Sequence, residues 1–311
     1  MGKIRFLFLL VIIVALLFIS YLFPTFAADE TASEIMKGIS SSFSLPLRDL
    51  LKKKYPSEWR NLFHGFSGSF SFCYPLKQVP PKNAIGGGTQ GERRANMTLS
   101  ATITYNPISY WFFSVTFYRY LHPQYQAPWD PDFSYTFGYN DWHPYTFSLV
   151  YSNYGGNRLF PKKGEKFTTF EEGTWSLGWK FVLPPKIERL FTVHKTGGIG
   201  CSIHYNYTPR YFDLATLSNK HSKQSLSLNI KYTIYKWWYA NVTLYWYPHP
   251  DQQQPWDPDF TYGFGYFDWH PGTISIQYNN YSGNRFPWKK RAPNTGRFKD
   301  GSICIFWSWK W

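Results

Sequence analysis

Residues Pro128 to Pro144 read PWDPDFSYTFGYNDWHP, and residues Pro255 to Pro271 read PWDPDFTYGFGYFDWHP, identical at 14 of 17 positions. In the first stretch Phe133, Tyr135, Phe137 and Tyr139 alternate with Ser134, Thr136 and Gly138; in the second Phe260, Tyr262, Phe264 and Tyr266 alternate with Thr261, Gly263 and Gly265. Alternation of aromatic with small polar residues is the period of a β-strand, whose successive side chains point to opposite faces. Trp129 and Trp256 lie 127 residues apart, as do Asn157 and Asn284. The register therefore holds without a gap through Gly155-Gly156-Asn157-Arg158 and Ser282-Gly283-Asn284-Arg285, and the chain is a tandem duplication.

Working outward, each copy resolves into six alternating segments. They lie near 64–75, 96–106, 109–120, 132–140, 144–154 and 173–184 in the first copy, and near 198–208, 223–234, 236–247, 259–267, 272–282 and 301–311 in the second. The second segment sets Met97, Leu99, Ala101, Ile103 and Tyr105 against Thr98, Ser100, Thr102 and Thr104. Segments of about ten residues, apolar outside and hydroxyl-rich inside, predict an all-β fold, a transmembrane antiparallel barrel of about 12 strands. A soluble β-sandwich usually has shorter strands. Short links at 106–109, 140–144, 234–236 and 267–271 alternate with links of roughly a dozen residues or more. Barrels of this kind keep short turns on the periplasmic side and long loops outside. The barrel is expected over 62–311, with repeat 1 at 62–184 and repeat 2 at 198–311.

Composition agrees. The chain has 311 residues, 22% aromatic, three Met, and a mean hydropathy of −0.39. After residue 23 it carries no apolar run of about 18 residues, which a helical membrane protein requires. Lys3 and Arg5 precede the apolar run Phe6 to Phe23, and Pro24-Thr25-Phe26-Ala27 follows. This predicts a secretory signal peptide over 1–27, with an uncleaved anchor as the other reading; either exports the rest. Over 28–61, Ile35, Met36, Ile39, Phe43 and Leu45, then Leu47, Leu50 and Leu51, have partial helical spacing. An amphipathic helical segment on the inner leaflet surface is expected there, and a plug in the lumen is the competing reading. The net charge is +14, or +12 once Lys3 and Arg5 leave. On an exported membrane protein such an excess favours lipopolysaccharide phosphates or acidic glycans over nucleic acid.

The last segment, Ile303 to Trp311, ends on an aromatic residue in the register of Ile303, Ile305, Trp307 and Trp309. In this, residues 62–311 resemble the outer-membrane β-barrel proteins of Gram-negative bacteria. The resemblance implies an outer-membrane location, insertion by the β-barrel assembly machinery, and membrane lipids and lipopolysaccharide as partners. In strand number and positive charge the chain also resembles the twelve-stranded oligosaccharide porins, though it carries no motif of theirs. That resemblance implies a channel.

Four groups of residues are candidates for chemistry. Asp130 and Asp132, repeated as Asp257 and Asp259, place carboxylates two apart in extended chain, as a calcium site or an acid/base pair would need. Turn chemistry beside a Trp girdle is the plainer reading. Arg158 and Arg285, each following an Asn at the outer rim, are placed to fork onto a ligand's phosphate or carboxylate, or to pair with the neighbouring aspartates. His143 and His270 invite comparison with outer-membrane phospholipase A, a barrel enzyme with a His, Ser and Asn set. The resemblance fails, because Tyr145 and Gly272 stand where the Ser should follow and both histidines fall in periplasmic turns. His122 and His249 lack a serine nucleophile matched in both copies. No catalytic residue and no cofactor are expected.

The fourth group is the lumen: Ser100, Thr102, Ser114, Thr116, Thr146, Ser148, Ser227, Asn229, Asn241, Thr243, Thr273 and Ser275, with Lys180 and Lys231. Small hydroxyls leave space and offer hydrogen bonds to hydrated solutes. The leading expectation is a porin-like channel for polar solutes, saccharide or anionic. An outer-leaflet lipid-modifying or lipopolysaccharide-modifying enzyme and an accessory barrel of a polysaccharide or surface-export system are the other readings. Finally, alternation counted from Phe70, Phe72 and Tyr74, and from Ile303, Ile305 and Trp307, turns Cys73 and Cys304 inward on the first and last strands at similar heights. Proximity of the two is expected; strand shear stands between proximity and a disulfide. Cys201, in line with outward Ile199 and Ile203, is expected to stay unpaired.

Overall fold

The computed structural model describes residues 65–76, 96–123, 126, 129–191, 197–268, 270–281, 283–289 and 296–310. The signal peptide, the 28–61 segment and Trp311 lie outside these. Twelve strands form: β1 (Phe66–Pro75), β2 (Thr98–Tyr105), β3 (Trp111–Tyr120), β4 (Phe133–Asn140), β5 (Phe147–Asn153), β6 (Thr174–Val182), β7 (Gly198–Asp213), β8 (Ser218–Tyr235), β9 (Trp238–Trp246), β10 (Phe260–Tyr266), β11 (Ile274–Asn280) and β12 (Ser302–Lys310). Each pairs antiparallel with its sequence neighbour, and β1 pairs with β12, which closes the barrel. Among the described residues no helix is long and apolar enough to cross a membrane.

Ten strands match their expected segments to within three residues at either end. The exceptions are β7 and β8, which continue as a ribbon to the pair Asp213↔Ser218 and close in a four-residue turn where a long loop was expected. Pro209 sits in this extension. A proline donates no hydrogen bond, and it is tolerated here because β6 pairs with β7 only as far as Tyr207. Between β6 and β7 a short helix, α1 (Pro185–Phe191), fills the connection on the short-turn side.

The two faces sort as the alternation requires. Cross-strand hydrogen bonds between hydroxyl and amide side chains gather on one parity: Ser71 with Ser100 at 2.7 Å, Thr102 with Thr116 at 2.9 Å, Thr174 with Thr208 at 2.7 Å, and Asn229 with Thr243 at 2.7 Å; Tyr262 and Tyr278 meet across the outward face at 3.3 Å. The opposite parity carries Trp111, Phe147, Leu177, Trp179, Trp238 and Trp246, all exposed. A sandwich would have buried this apolar face against a second sheet; a barrel turns it outward.

Over β2–β5 and β8–β11 the duplication keeps its pairing register. Thr104 opposes Ser114 as Lys231 opposes Asn241, and Tyr135 opposes Asn153 as Tyr262 opposes Asn280. Gly138 and Gly265 take φ of 149° and 156° at equivalent points of β4 and β10. A Cβ there would stand 2.1 Å from the Leu149 carbonyl oxygen or 2.2 Å from that of Ile276, so the close strand approach requires glycine in both copies.

At the closure, Cys73 and Cys304 are directly opposed and form a disulfide, with Cα atoms 4.1 Å apart. The register goes beyond proximity, because strand shear happens to bring the two positions level. Cys201 is the free cysteine.

Candidate functional site

The site is the lumen and its outer rim. Of the fourteen residues expected to line the lumen, twelve lie on inward faces: Ser100 and Thr102 on β2, Ser114 and Thr116 on β3, Ser148 on β5, Lys180 on β6, Ser227, Asn229 and Lys231 on β8, Asn241 and Thr243 on β9, and Ser275 on β11. Thr146 and Thr273 lie instead in the short turns, where each hydroxyl donates to the carbonyl of His143 or His270 at 2.6 Å. Lys180 is also committed locally: its ammonium donates to Asn140 Oδ1 at 2.6 Å and to the Asp141 carbonyl. His204, on β7, has hydroxyl partners at both ring nitrogens, Ser202 at 2.9 Å and Ser176 at 3.3 Å.

Toward the long-loop end the lumen holds a cavity of about 400 Å³. Asn206, Ser225, Ser227, Thr261 and the rings of Tyr245, Tyr247 and Tyr281 line it, together with the ion pair of Lys223 and Asp257 at 2.5 Å. Burial, with Asp257 next in order, pushes the Tyr247 phenol well above its ordinary range, so the ring presents a neutral hydroxyl. Near the short-turn end Thr104, Asn106, Tyr110, Phe112 and Asn140 border a second cavity of about 380 Å³. The sequence reading missed Lys223 and the inward tyrosines, although both follow the parity of Ser227, Asn229, Asn241, Thr243 and Ser275. Lys223 is the first residue of the segment expected for β8, and aromatic rings were assigned outward.

At the rim each copy repeats one clamp. The N–H groups of Asp132 and Asp259 donate to the carbonyls of Asn157 and Asn284, at 2.8 and 2.7 Å. Gln126 reaches Asp132 Oδ1, and Gln253 reaches Asp259 Oδ1, each at 2.9 Å. Arg158 donates to the Asp130 carbonyl and lies 3.8 Å from Asp132. Arg285 donates to the carbonyls of Asp257 and Gln254. Lys289 pairs with Asp259 at 2.6 Å. Burial works to raise the Asp259 carboxyl, but hydrogen bonds from Gln253, Lys289 and the Phe286 N–H outweigh it and hold the group below the ordinary carboxylate range. The arginines thus tie the rim together, mostly through backbone carbonyls rather than the carboxylates. Among the described residues no cluster of three or more His, Cys, Asp or Glu side chains could hold a metal ion.

The long loops after β5 and β11 fold down onto the outer wall. Tyr151 donates to the Phe170 carbonyl at 2.5 Å and Tyr278 to that of Phe298 at 2.8 Å, with the rings stacked at 4.7 and 4.4 Å. In the second copy Asn280 Oδ1 and Asn284 Oδ1 are buried without a hydrogen-bond partner. The short turns carry the Asp-Trp-His-Pro motif as a local knot. Asp141 accepts from the His143 N–H at 3.0 Å and meets its ring nitrogen at 2.6 Å; Asp268 does the same with His270. Burial opposes the ionised form of both carboxylates, and the histidine donors overcome it and lower both pKa values. These histidines serve the turns.

The fold and this interior define a class: a closed twelve-stranded antiparallel barrel with a polar lumen and an apolar exterior. No family model matches the sequence, and no curated protein matches it either. Among solved structures the chain is similar to an outer membrane channel from Pseudomonas putida F1, at 8% identity and a TM-score of 0.36, over 79% of this chain and 95% of that one. At that identity and score the likeness bears on neither activity nor solute.

Proposed function

We propose that this protein is an outer-membrane channel for hydrated polar solutes, saccharides or organic anions, with the long loops facing outward. One observation carries the reading: among the described residues the closed barrel lines its inside with small hydroxyl and amide side chains that leave cavities of about 400 and 380 Å³ toward its two ends. A barrel packed for structure alone would fill that space. The exposed outward aromatics supply the band that lipid would cover, as in membrane barrels. Basic residues in the lumen and loops favour anionic over cationic solutes. The test is planar-bilayer conductance of the refolded chain. Discrete steps that scale with salt are expected, and a folded protein that inserts without conducting refutes the channel.

A further inference from the structure

The walls β2–β5 and β8–β11 are copies, so each inward position has a counterpart 127 residues away. Toward the long-loop end the counterparts mostly agree, Thr116 with Thr243, Tyr118 with Tyr245 and Ser134 with Thr261, and where Asn229 replaces Thr102 it donates to Thr243 at 2.7 Å. One row deeper they part. Thr104, Ser114, Thr136 and Ser152 lie side by side across the first wall, and Thr104 and Ser114 bond each other at 2.9 Å. The same row in the second wall reads Lys231, Asn241, Gly263 and Asn279, with Gln277 standing where the first has Val150. Outward neighbours stay apolar in both copies, as Ile103 with Ile230 and Val115 with Val242, so general drift does not account for the change.

The replacements share one chemistry. Gly263 removes the side chain between two amides, whose Oδ1 atoms, of Asn279 and Asn241, lie 2.8 and 2.9 Å from where its Cβ would stand. The threonine of the first copy could not sit there without displacing them. The Lys231 ammonium lies over the rings of Tyr239, at 5.0 Å, and Phe267, at 5.6 Å, and its side chain is exposed within the lumen. The side chains of Lys231, Asn241, Gln277 and Asn279 form no hydrogen bond or ion pair with another described residue. In the first wall Thr104 and Ser114 satisfy one another, whereas the ammonium and amides of the second wall's row are left for whatever occupies the lumen. An ammonium beside amide N–H groups matches an oxyanion, because charge-assisted hydrogen bonds are the strong ones.

We propose that the second-repeat wall is an anion-selectivity site, in which Lys231 supplies charge and Asn241, Gln277 and Asn279 donate to the carboxylate or phosphate of an organic anion. The first-repeat wall is its passive counterpart. The proposal rests on the channel reading and names where selection takes place.

The first repeat supplies the test variant. Lys231→Thr, Asn241→Ser, Gln277→Val and Asn279→Ser together install residues that this fold already accepts in the other copy, and heat-dependent gel mobility reports folding. The full chain in planar bilayers under a KCl gradient gives a reversal potential, and citrate and inorganic phosphate serve as blockers that separate the two oxyanions. Anion preference and block are expected to weaken about fivefold in the variant, the effect of one unit charge at about 4 Å in water. Lys310→Gln, outside the row, should leave block as it is. A conducting variant with unchanged selectivity and block overturns this inference and leaves the channel standing. If neither protein conducts, the channel reading falls, and titration of citrate or phosphate into the detergent-solubilised chain decides the site. Binding lost in the variant supports it; no binding by either protein overturns it.

Discussion

Replacing Cys73 and Cys304 together by serine removes the covalent closure and leaves two small polar side chains opposed on the inner face. The cysteines are 231 residues apart. In the chain-entropy account a loop of that length costs the unfolded ensemble about 18 cal/mol/K, or about 5 kcal/mol at 25 °C. With a guanidinium slope of about 2–6 kcal/mol/M, the unfolding midpoint should fall by about 1–2.5 M. The assay is guanidinium unfolding in detergent micelles, followed by tryptophan fluorescence, for oxidised protein and the double variant. The variant should still fold, because β1 and β12 remain paired over nine residue pairs from Ser67↔Lys310 to Pro75↔Ser302. Coincident midpoints would refute the entropic argument. Two or more reactive thiols per denatured, unreduced chain would refute the pairing itself, since only Cys201 should react.

Three further outcomes are expected. Gly265→Ala forces a side chain into a positive-φ site against the Ile276 carbonyl and should cost about 1–3 kcal/mol; Gly200→Ala, with nothing within 4 Å, should be close to neutral in the same unfolding assay. At the β7–β8 tip, Lys220 first, then Thr216 and Gln254, hold the Asp213 carboxyl far below its ordinary range. Its stabilisation is therefore complete above the unfolded pKa of about 3.9 and is lost as pH falls through the lowered folded value. Hydrogen exchange at the tip should quicken below about pH 4, and Asp213→Asn should flatten that dependence. The loop from Ser282 to Asp300 holds six basic residues and one acidic, 6 − 1 = +5, and is proposed to contact lipopolysaccharide phosphates. Arg285, Lys289 and Arg297 are engaged within the rim, so neutralising Lys290, Arg291 and Lys299 should reduce lipopolysaccharide retention in a salt-dependent way. Retention unchanged by those substitutions would make the loop a solvated surface.

Much of the fold was legible because a strand's period is short and the duplication read each strand twice. Phe133 to Tyr139 and Phe260 to Tyr266 declare their faces without ambiguity, and parity alone turned Cys73 and Cys304 inward. The disulfide needed more, since the stagger between first and last strands is set by closure of the whole sheet. The β7–β8 extension was hidden by Pro209, whose meaning depends on where β6 stops. In the lumen parity stops applying at Thr146 and Thr273, where the strand has ended and the hydroxyl caps a turn. The rim clamp had left a signal in the repeat: Gln126 and Gln253, like Asn153 and Asn280, are 127 residues apart. Which group each one holds depends on how the long loops descend, and no local pattern encodes that.

The β7–β8 ribbon gives the sheet back something that closure removes. A barrel has no edge strands, yet β6 leaves β7 after Tyr207 and β9 first meets β8 at Leu226, so the ribbon carries two open backbone edges. Such edges invite strands from other chains, and proteins guard them with charge and cover. Arg210, Lys220 and Lys223 supply the charge, and Glu171 holds Arg210 at 3.2 Å on the β7 side. On the β8 side Gln252 accepts from the Gln224 N–H at 3.2 Å, and at the turn Gln254 accepts from the Leu214 N–H at 2.9 Å. Two glutamines from the neighbouring loop thus take up N–H groups that an added strand or a turn carbonyl would otherwise claim, and the ribbon can stand above the rim without recruiting a neighbour.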